Sequence, residues 1–299
     1  MVALHVLGNG FDLQHDLPTA YAPHLKKIAV EAERFHGEWE CYSDAEDLWS
    51  DVEANLAHPD MDMLLQHLES YAPDLLSERE GDRDGIIHEA EQLLDFPLEE
   101  FARRADEALE EQKPLGIFQK IFGPRDCFLN FNYTHTLERL YEIDPSRVLH
   151  VHGEVGGEPL ILGYAPGALR DLPELHEWDD EESFDYYRSI AHGALEKRLK
   201  EFEKTYQVER MSEFLTRVPR HFDRVVVYGF SFGLVDKPYF DRLAELLEDV
   251  PWMVYAYDRS ALEDACSRLD EYGCGITYQK QVLEEKSSQR TSRPTATTG

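Results

Sequence analysis

Two polar side chains directly follow short apolar segments of the kind that form buried β-strands. Asn132 follows the run Phe128-Leu-Asn-Phe, and His152 follows the run Val148-Leu-His-Val. Ligands bind and catalytic groups gather at the strand ends of α/β sheets. A carboxamide and an imidazole at neighbouring strand ends could bind a polar ligand and move a proton. We therefore predict a site built around Asn132 and His152.

The residues around this pair leave more than one interpretation open. Asn130, Asn132 and Thr134 alternate along one extended segment, so their side chains share a face. Buried polar side chains need partners, which a ligand, a structural hydrogen-bond network or a helix cap could supply. His150 and His152 also share a face and could ligate a metal, but no carboxylate or cysteine stands at a conventional spacing to complete the set. We therefore rank metal binding below nucleotide binding.

A glycine turn follows the first apolar run, residues 3–7. The string Gly8-Asn9-Gly10 leads from this predicted strand into a helix. Such a turn suits the pyrophosphate of a dinucleotide, because glycine allows close backbone approach and a helix start offers free N–H groups. Leu13 occupies the third glycine position of the dinucleotide motif, so an ordinary tight turn is at least as good an interpretation. Asp12 and His15 could contact a ligand, or could serve as a helix cap and a loop histidine.

A second glycine turn, Gly229-Phe-Ser231-Phe-Gly233, follows the most apolar run of the chain. The G-x-S-x-G string is typical of the nucleophile elbow of α/β-hydrolases, in which the triad histidine follows the serine in sequence. The last histidine of this chain is His221, so that order is not met. We therefore interpret Ser231 as a hydroxyl that contacts a ligand.

Composition narrows the class of protein. The formal charge is −30, from 60 acidic and 30 basic residues, and so acidic a surface disfavours nucleic-acid binding. The four cysteines form no CxxC pair, which argues against a zinc knuckle or a disulfide framework and fits a reducing compartment. No apolar run has membrane-spanning length, and the first residues lack the basic and apolar regions of a signal peptide. We expect a cytoplasmic protein that does not bind membranes.

The alternation of apolar runs with helical patterns predicts an α/β fold with a doubly wound, mainly parallel, Rossmann-like sheet. We predict one α/β domain over residues 1–285, with helical insertions at about 38–124 and 168–222, and a disordered tail at 286–299. A glycine-containing segment, residues 81–85, should break the first insertion, and residue 258 or 260 should cap a late helix. The predicted strands are residues 3–7, 126–131, 148–152, 159–164, 224–230, 252–257 and 275–279.

Taken together, these motifs resemble the AbiH family of phage abortive-infection proteins. The resemblance is carried by four strings that frame residues 8–236: Gly8-Asn-Gly-Phe-Asp-Leu-Gln-His-Asp-Leu-Pro-Thr-Ala-Tyr21, Asn130-Phe-Asn-Tyr-Thr134 with Leu137-Glu138, His150-Val-His-Gly153, and Gly229-Phe-Ser231 with Asp236. The first string is specific, and the others are short. This resemblance implies a role in phage defence.

The same order of motifs is similar, more distantly, to the sirtuin-like NAD-binding fold. That similarity implies Asn132 and His152 as the catalytic pair and NAD as substrate or ligand. Cofactor contacts are expected from the glycine turns and their motif neighbours: Gly8, Asn9, Gly10, Phe11, Asp12, His15, Thr134, Gly229, Ser231 and Asp236. The four-cysteine zinc module and an acyl-lysine channel are missing, so we expect NAD cleavage rather than protein deacylation.

A mechanism follows from this similarity. NAD would break at its nicotinamide–ribose bond through an oxocarbenium-like transition state, and nicotinamide would leave without a general acid. Asn132 would hold the ribose and position water. His152 would bind a ribose hydroxyl or accept the proton of the water.

Two other functions remain open. Thr134 stands where the sirtuin-like pattern has an aspartate, which motivates a non-catalytic module that binds NAD, ADP-ribose or another nucleotide and acts through a protein partner. A homo-oligomer could also supply control. The third possibility is a metal-dependent hydrolase that uses Asp12, His15, His150 and His152. In the favoured interpretation we expect no metal.

Overall fold

Six strands form a single parallel sheet. The computed structural model describes residues 1–31, 43, 48–71, 81–93, 95–169, 186–218, 221–256 and 259–281. The strands run in the order β3-β2-β1-β4-β5-β6 across the sheet, and every neighbouring pair is parallel. The α/β prediction with a parallel, Rossmann-like sheet is confirmed. The strands are β1 (Ala3–Leu7), β2 (Cys127–Asn130), β3 (Val148–His150), β4 (Arg224–Tyr228), β5 (Trp252–Ala256) and β6 (Ile276–Gln281).

Both faces of the sheet are covered, which explains why the central strands are almost continuously apolar. Every residue of β1 and β2 is buried. Leu4 and Val6 of β1 belong to a core on one face of the sheet. Leu7 belongs to an aromatic-rich core on the other face, together with Phe128 and Tyr228. The sheet therefore lies between two apolar layers, and its strand ends remain as the places for polar groups.

Helices connect the strands and build the insertions. A short π-helical turn, Tyr21–Leu25, leads directly into α2. None of the helices in the described ranges is long and apolar enough to cross a membrane. The helices are α1 (Asn9–Gln14), α2 (Lys26–Glu31), α3 (Val52–Asn55), α4 (Met61–Glu69), α5 (Gly81–Gln92), α6 (Leu98–Glu107), α7 (Gly116–Ile121), α8 (Thr136–Tyr141), α9 (Tyr186–Lys200), α10 (Val208–Arg217), α11 (Lys237–Leu246) and α12 (Arg259–Glu271).

The two predicted insertions meet each other in space. Helices α4 and α5 of the first insertion pack against α9 of the second. Leu68, Ile86 and Leu195 are completely buried in the core that these helices share. The insertions thus build one helical layer beside the sheet. This arrangement matters for the site, because the layer also includes the short helix α3.

Two local predictions were wrong. Residues 159–164 do not form a strand; Tyr164 makes an isolated parallel bridge with Glu203. Leu160 and Leu162 of this segment pack against the helical core instead, so their burial needs no sheet. Residues 81–85 do not break a helix but belong to α5. Packing of α5 against α9 outweighs the roughly 1 kcal/mol by which a glycine disfavours a helix.

Three predictions fall on residues outside the described ranges. They are the cap at residue 258, the disordered tail at 286–299, and the start of the first insertion near residue 38. The late helix is present as α12, which begins at Arg259, so the alternative cap, Ser260, lies inside the helix.

Candidate functional site

A cavity of about 360 Å³ opens at the carboxyl edge of the sheet. Gly8, Asn132, His152 and Gly229 line it, and they follow β1, β2, β3 and β4, respectively. The chain steps from β1 through β2 to β3 on one side and then crosses to β4 on the other. The cavity therefore lies where the strand order reverses, which is where doubly wound sheets bind their ligands.

Ten of the twelve site residues predicted from the sequence line this cavity. Phe11 and His15 do not. The ten are Gly8, Asn9, Gly10, Asp12, Asn132, Thr134, His152, Gly229, Ser231 and Asp236.

Phe11 and His15 face the aromatic core instead of the cavity. The His15 Nδ1 atom lies 2.7 Å from the Phe11 carbonyl oxygen, and its Nε2 atom lies 2.6 Å from the Tyr141 hydroxyl. The Phe11 ring packs edge-on against Phe118, with ring centroids 4.9 Å apart. Burial lowers the pKa of His15. Both side chains hold α1 against α7 and α8, and neither is placed to touch a ligand.

The two glycine turns touch each other, which gives both a structural reason. A Cβ atom on Gly10 would lie 2.6 Å from the Gly229 Cα atom. Gly229 also has a φ of +61°, a conformation that side chains disfavour. The Gly10 N–H donates to the Gly229 carbonyl at 2.8 Å, so this N–H is committed within the protein. The glycines bring β1 and β4 together at the floor of the cavity.

Asn132 is held firmly on its amide nitrogen. Its Nδ2 donates to the Gly8 carbonyl at 3.2 Å and to Asn130 Oδ1 at 3.1 Å. Asn130 Oδ1 also accepts the Asn132 backbone N–H at 3.2 Å. Both Nδ2 hydrogens are therefore in use, and no hydrogen bond from another described residue engages Oδ1. The carboxamide oxygen is the atom that Asn132 can offer to a ligand, and Asn130 orients it.

His152 has a buried ring nitrogen that lacks a hydrogen-bond partner among the described residues. Its side chain is only 7% exposed, and its Nε2 lies 3.4 Å from Asp236 Oδ1. The two atoms are close enough for an ion pair but do not meet the geometry of a hydrogen bond. Nε2 has no hydrogen-bond partner in the part of the chain that the structure describes. A buried nitrogen without a partner is unfavourable in a purely structural position. His152 lines the cavity, so this nitrogen lies close to the space that a ligand would occupy.

His150 does not join His152. Strand β3 ends at His150, so the side chains no longer share a strand face. His150 Nδ1 lies 3.2 Å from the Asn132 carbonyl oxygen, and its Nε2 lies 3.1 Å from Glu138 Oε1. His150 therefore supports the loop that carries Asn132 from outside the cavity.

Asp12 is a buried carboxylate rather than a helix cap. It accepts a hydrogen bond from Thr134 Oγ1 at 2.5 Å and another from Thr136 Oγ1 at 2.8 Å. Burial raises its pKa to about 6, although both threonine hydrogen bonds favour the charged form. The hydrogen bond from Thr134 therefore holds the Asp12 carboxylate beside Thr134.

Reasoning from the sequence missed Glu53 and Lys204. Lys204 Nζ is buried and lies 2.9 Å from Glu53 Oε1 and 3.1 Å from Asp236 Oδ1. Burial alone would lower the pKa of Lys204, but the two carboxylates raise it. Burial would raise the pKa of Asp236, yet Lys204 and His152 hold it at about 2. Glu53 stands in α3 of the acidic insertion, where no local pattern separates it from its acidic neighbours.

The residues of the metal-hydrolase hypothesis are held apart by different partners. Asp12 bonds threonines, His15 bonds Tyr141, His150 contacts Glu138 and His152 contacts Asp236. Over the part of the chain that the structure describes, no group of three or more histidine, cysteine or acidic residues could hold a metal ion. The described residues give this hypothesis no ligand set.

Comparison with known proteins places the chain in a family. No curated protein and no solved structure compared with the chain gives a match. The family model described as bacteriophage abortive infection AbiH matches residues 4–256, which span the sheet from β1 to the end of β5 and contain every cavity residue discussed above. The chain therefore belongs to the AbiH family of bacteriophage abortive-infection proteins, which act in phage defence.

Proposed function

We propose that this AbiH protein binds NAD in the cavity and cleaves its nicotinamide–ribose bond. One observation carries the proposal: Asn132 and His152 line the same cavity at the reversal of strand order, each with one unengaged polar atom. Cleavage of NAD during infection would deprive the phage of a metabolite that its replication requires, which agrees with a role in abortive infection.

In the proposed reaction, each residue has a role that its position supports. Asn132 Oδ1 accepts a hydrogen bond from a ribose hydroxyl or from the attacking water, and its fixed amide keeps that oxygen in place. His152 Nε2 accepts the proton of the water as the new C–O bond forms. Asp236, at 3.4 Å, stabilises the imidazolium that results. Nicotinamide leaves as a neutral molecule, so no acid has to protonate it.

Asp12 supports the similarity to the sirtuin-like pattern in one further respect. That pattern has an aspartate two residues after its asparagine, where this chain has Thr134. The Thr134 hydroxyl lies 2.5 Å from the Asp12 carboxylate, so α1 supplies a carboxylate to this part of the cavity.

The test is incubation of the protein with NAD and chromatography for nicotinamide and ADP-ribose. We expect release by the wild type, and a loss on the order of 100-fold or more in Asn132→Ala and His152→Ala, since each removes a group that acts on the reacting atoms. His221→Ala is the matched control, because His221 is exposed and does not line the cavity. Release at the wild-type rate by either site variant would refute the assignment.

A second candidate is a non-catalytic module that binds NAD or ADP-ribose and signals through a protein partner or another copy of the chain. The closed network around Asp12 favours it, because both carboxylate oxygens are already engaged by Thr134 and Thr136. Calorimetry with NAD and with ADP-ribose, run beside the turnover assay, separates the two candidates. Binding without release of nicotinamide would support the signalling module.

A further inference from the structure

The buried group at the cavity wall has more negative than positive charge. The Lys204 ammonium lies between the Glu53 and Asp236 carboxylates, at 2.9 and 3.1 Å. Its side chain is fully buried, while those of Glu53 and Asp236 are 17% and 12% exposed. One positive charge thus faces two negative charges. A buried carboxylate without its own counter-charge is unfavourable for folding.

Glu53 is the member of this group whose negative charge is opposed by its surroundings. Asp236 already pairs with Lys204, and it also lies beside His152. Burial raises the pKa of Glu53, and the neighbouring Asp236 adds to that rise, while Lys204 opposes it. Ionisation of Glu53 therefore works against the folded state. Groups that are kept at such a disadvantage are found at functional sites.

Apart from the buried Lys204, the described residues at the cavity wall supply no lysine or arginine to these carboxylates. Asp12, Asp51, Glu53 and Asp236 all line the cavity, and no lysine or arginine is among its described lining residues. The unpartnered Nε2 of His152 lies on the same wall, beside Asp236. A positively charged ligand group would supply the missing counter-charge. Tyr21 and Phe101, which also line the cavity, provide apolar surface for a flat ring.

We propose that Glu53 is a further substrate-binding residue, whose carboxylate binds the positive charge of oxidised NAD, first on the nicotinamide ring and then on the ribose. This inference rests on the proposed function. When the bond between the ribose carbon and the ring nitrogen breaks, its electron pair goes to nicotinamide, and the positive charge passes to the ribose. Water then adds to that carbon and gives its proton to His152. Glu53 is present throughout as the counter-charge.

The experiment compares ligands of the same shape and different charge by calorimetry. The pairs are 1-methylnicotinamide with nicotinamide, and oxidised with reduced NAD. The proteins are the wild type, Glu53→Gln, and Glu248→Gln as a control that changes the net charge equally at an exposed residue outside the cavity. We expect the wild type and E248Q to bind the cationic member of each pair on the order of tenfold more tightly. In E53Q the preference should disappear.

Stability distinguishes this role from a structural one. E53Q leaves Lys204 paired with Asp236, so its thermal midpoint should equal or exceed that of the wild type. A purely structural Glu53 would instead lower the midpoint and leave the ligand preference unchanged, which would overturn the inference. Equal binding of oxidised and reduced NAD by the wild type would also overturn it, while NAD binding would stand. Preference for 1-methylnicotinamide without any binding of NAD would keep the cation site and refute the proposed function.

Discussion

Two histidine–aspartate pairs of this protein use the same residue types in opposite ways. His5 and Asp126 are buried, and the His5 Nε2 atom lies 2.9 Å from Asp126 Oδ2. Asp126 also accepts the backbone N–H groups of Ala3 and Gly123, at 2.9 and 2.8 Å. Burial would raise the pKa of Asp126, but His5 and these N–H groups lower it. This carboxylate joins the start of β1 to the segment before β2.

His152 and Asp236 form the looser pair. Their closest atoms are 3.4 Å apart without a hydrogen bond, and both residues line the cavity. An unpaired nitrogen alone does not distinguish the pairs, because His5 Nδ1 also lacks a partner among the described residues. His5 packs against Phe122 and Phe128, whereas His152 stands at a cavity wall. The Asp126 carboxylate, which has several hydrogen-bond partners and lies away from the cavity, indicates a structural role. The His152–Asp236 pair, which lacks a mutual hydrogen bond and lines the cavity, indicates a site.

The largest expected difference between the pairs is in turnover. Asp236→Asn should lower nicotinamide release about 10²–10⁴-fold, because the imidazolium of His152 loses its counter-charge. Asp126→Asn should leave the rate per folded molecule unchanged. Single-turnover assays, with the folded fraction measured by circular dichroism, test both variants. Equal losses in the two variants would show that the pairs do not differ in function.

The second difference is in stability. Asp126→Ala should lower the free energy of unfolding by about 3–5 kcal/mol, since it leaves His5 and two buried N–H groups without an acceptor. Asp236→Asn should lower it by no more than about 2 kcal/mol, because Lys204 keeps Glu53 as a partner. Urea denaturation measures both values. A larger loss in Asp236→Asn would make Asp236 the structural member.

Asp12 extends the comparison to pH. Its pKa is raised from 3.8 to about 6 in the folded protein, so the stability that this group contributes is complete below pH 3.8 and is lost as the pH rises through about 6. The difference corresponds to about 3 kcal/mol. Asp12→Asn should remove this dependence, so the variant should gain about 3 kcal/mol relative to the wild type between pH 4 and pH 7. Urea denaturation at each pH measures the free energy of unfolding. If this free energy changed with pH by the same amount in both proteins, the expectation would be contradicted.

The smallest effect concerns a histidine that the sequence placed in the site. Tyr141→Phe removes the hydroxyl that bonds His15 and accepts the Leu115 N–H. We expect a loss of about 1–2 kcal/mol in unfolding free energy and no change in NAD affinity. Denaturation and calorimetry measure the two quantities. A tenfold weaker affinity of Tyr141→Phe for NAD would instead indicate that His15 contributes to ligand binding.

Much of the fold could be predicted because its signals are local. Strands β1, β2 and β4 are apolar runs that end at turns, and their predicted bounds differ from the observed ones by no more than two residues. Residues 159–164 have the same local pattern but bury their side chains against the helical core, which no window of sequence can show. The positions of Asn132 and His152 after their strands were also predictable, since parallel strands bring their carboxyl ends to one edge.

The sequence by itself determined which residues follow the strands, because burial of apolar runs and turn chemistry act over a few neighbouring residues. Only the tertiary structure decided which side chains face the cavity. The Phe11 and His15 side chains point into the aromatic core. Gly10 and Gly229 allow the two turns to touch. The tertiary structure also joined Glu53 to Lys204, 151 residues later, in a buried charge group. Such a group depends on the packing of two insertions against each other and beside the sheet, and no local pattern encodes that packing.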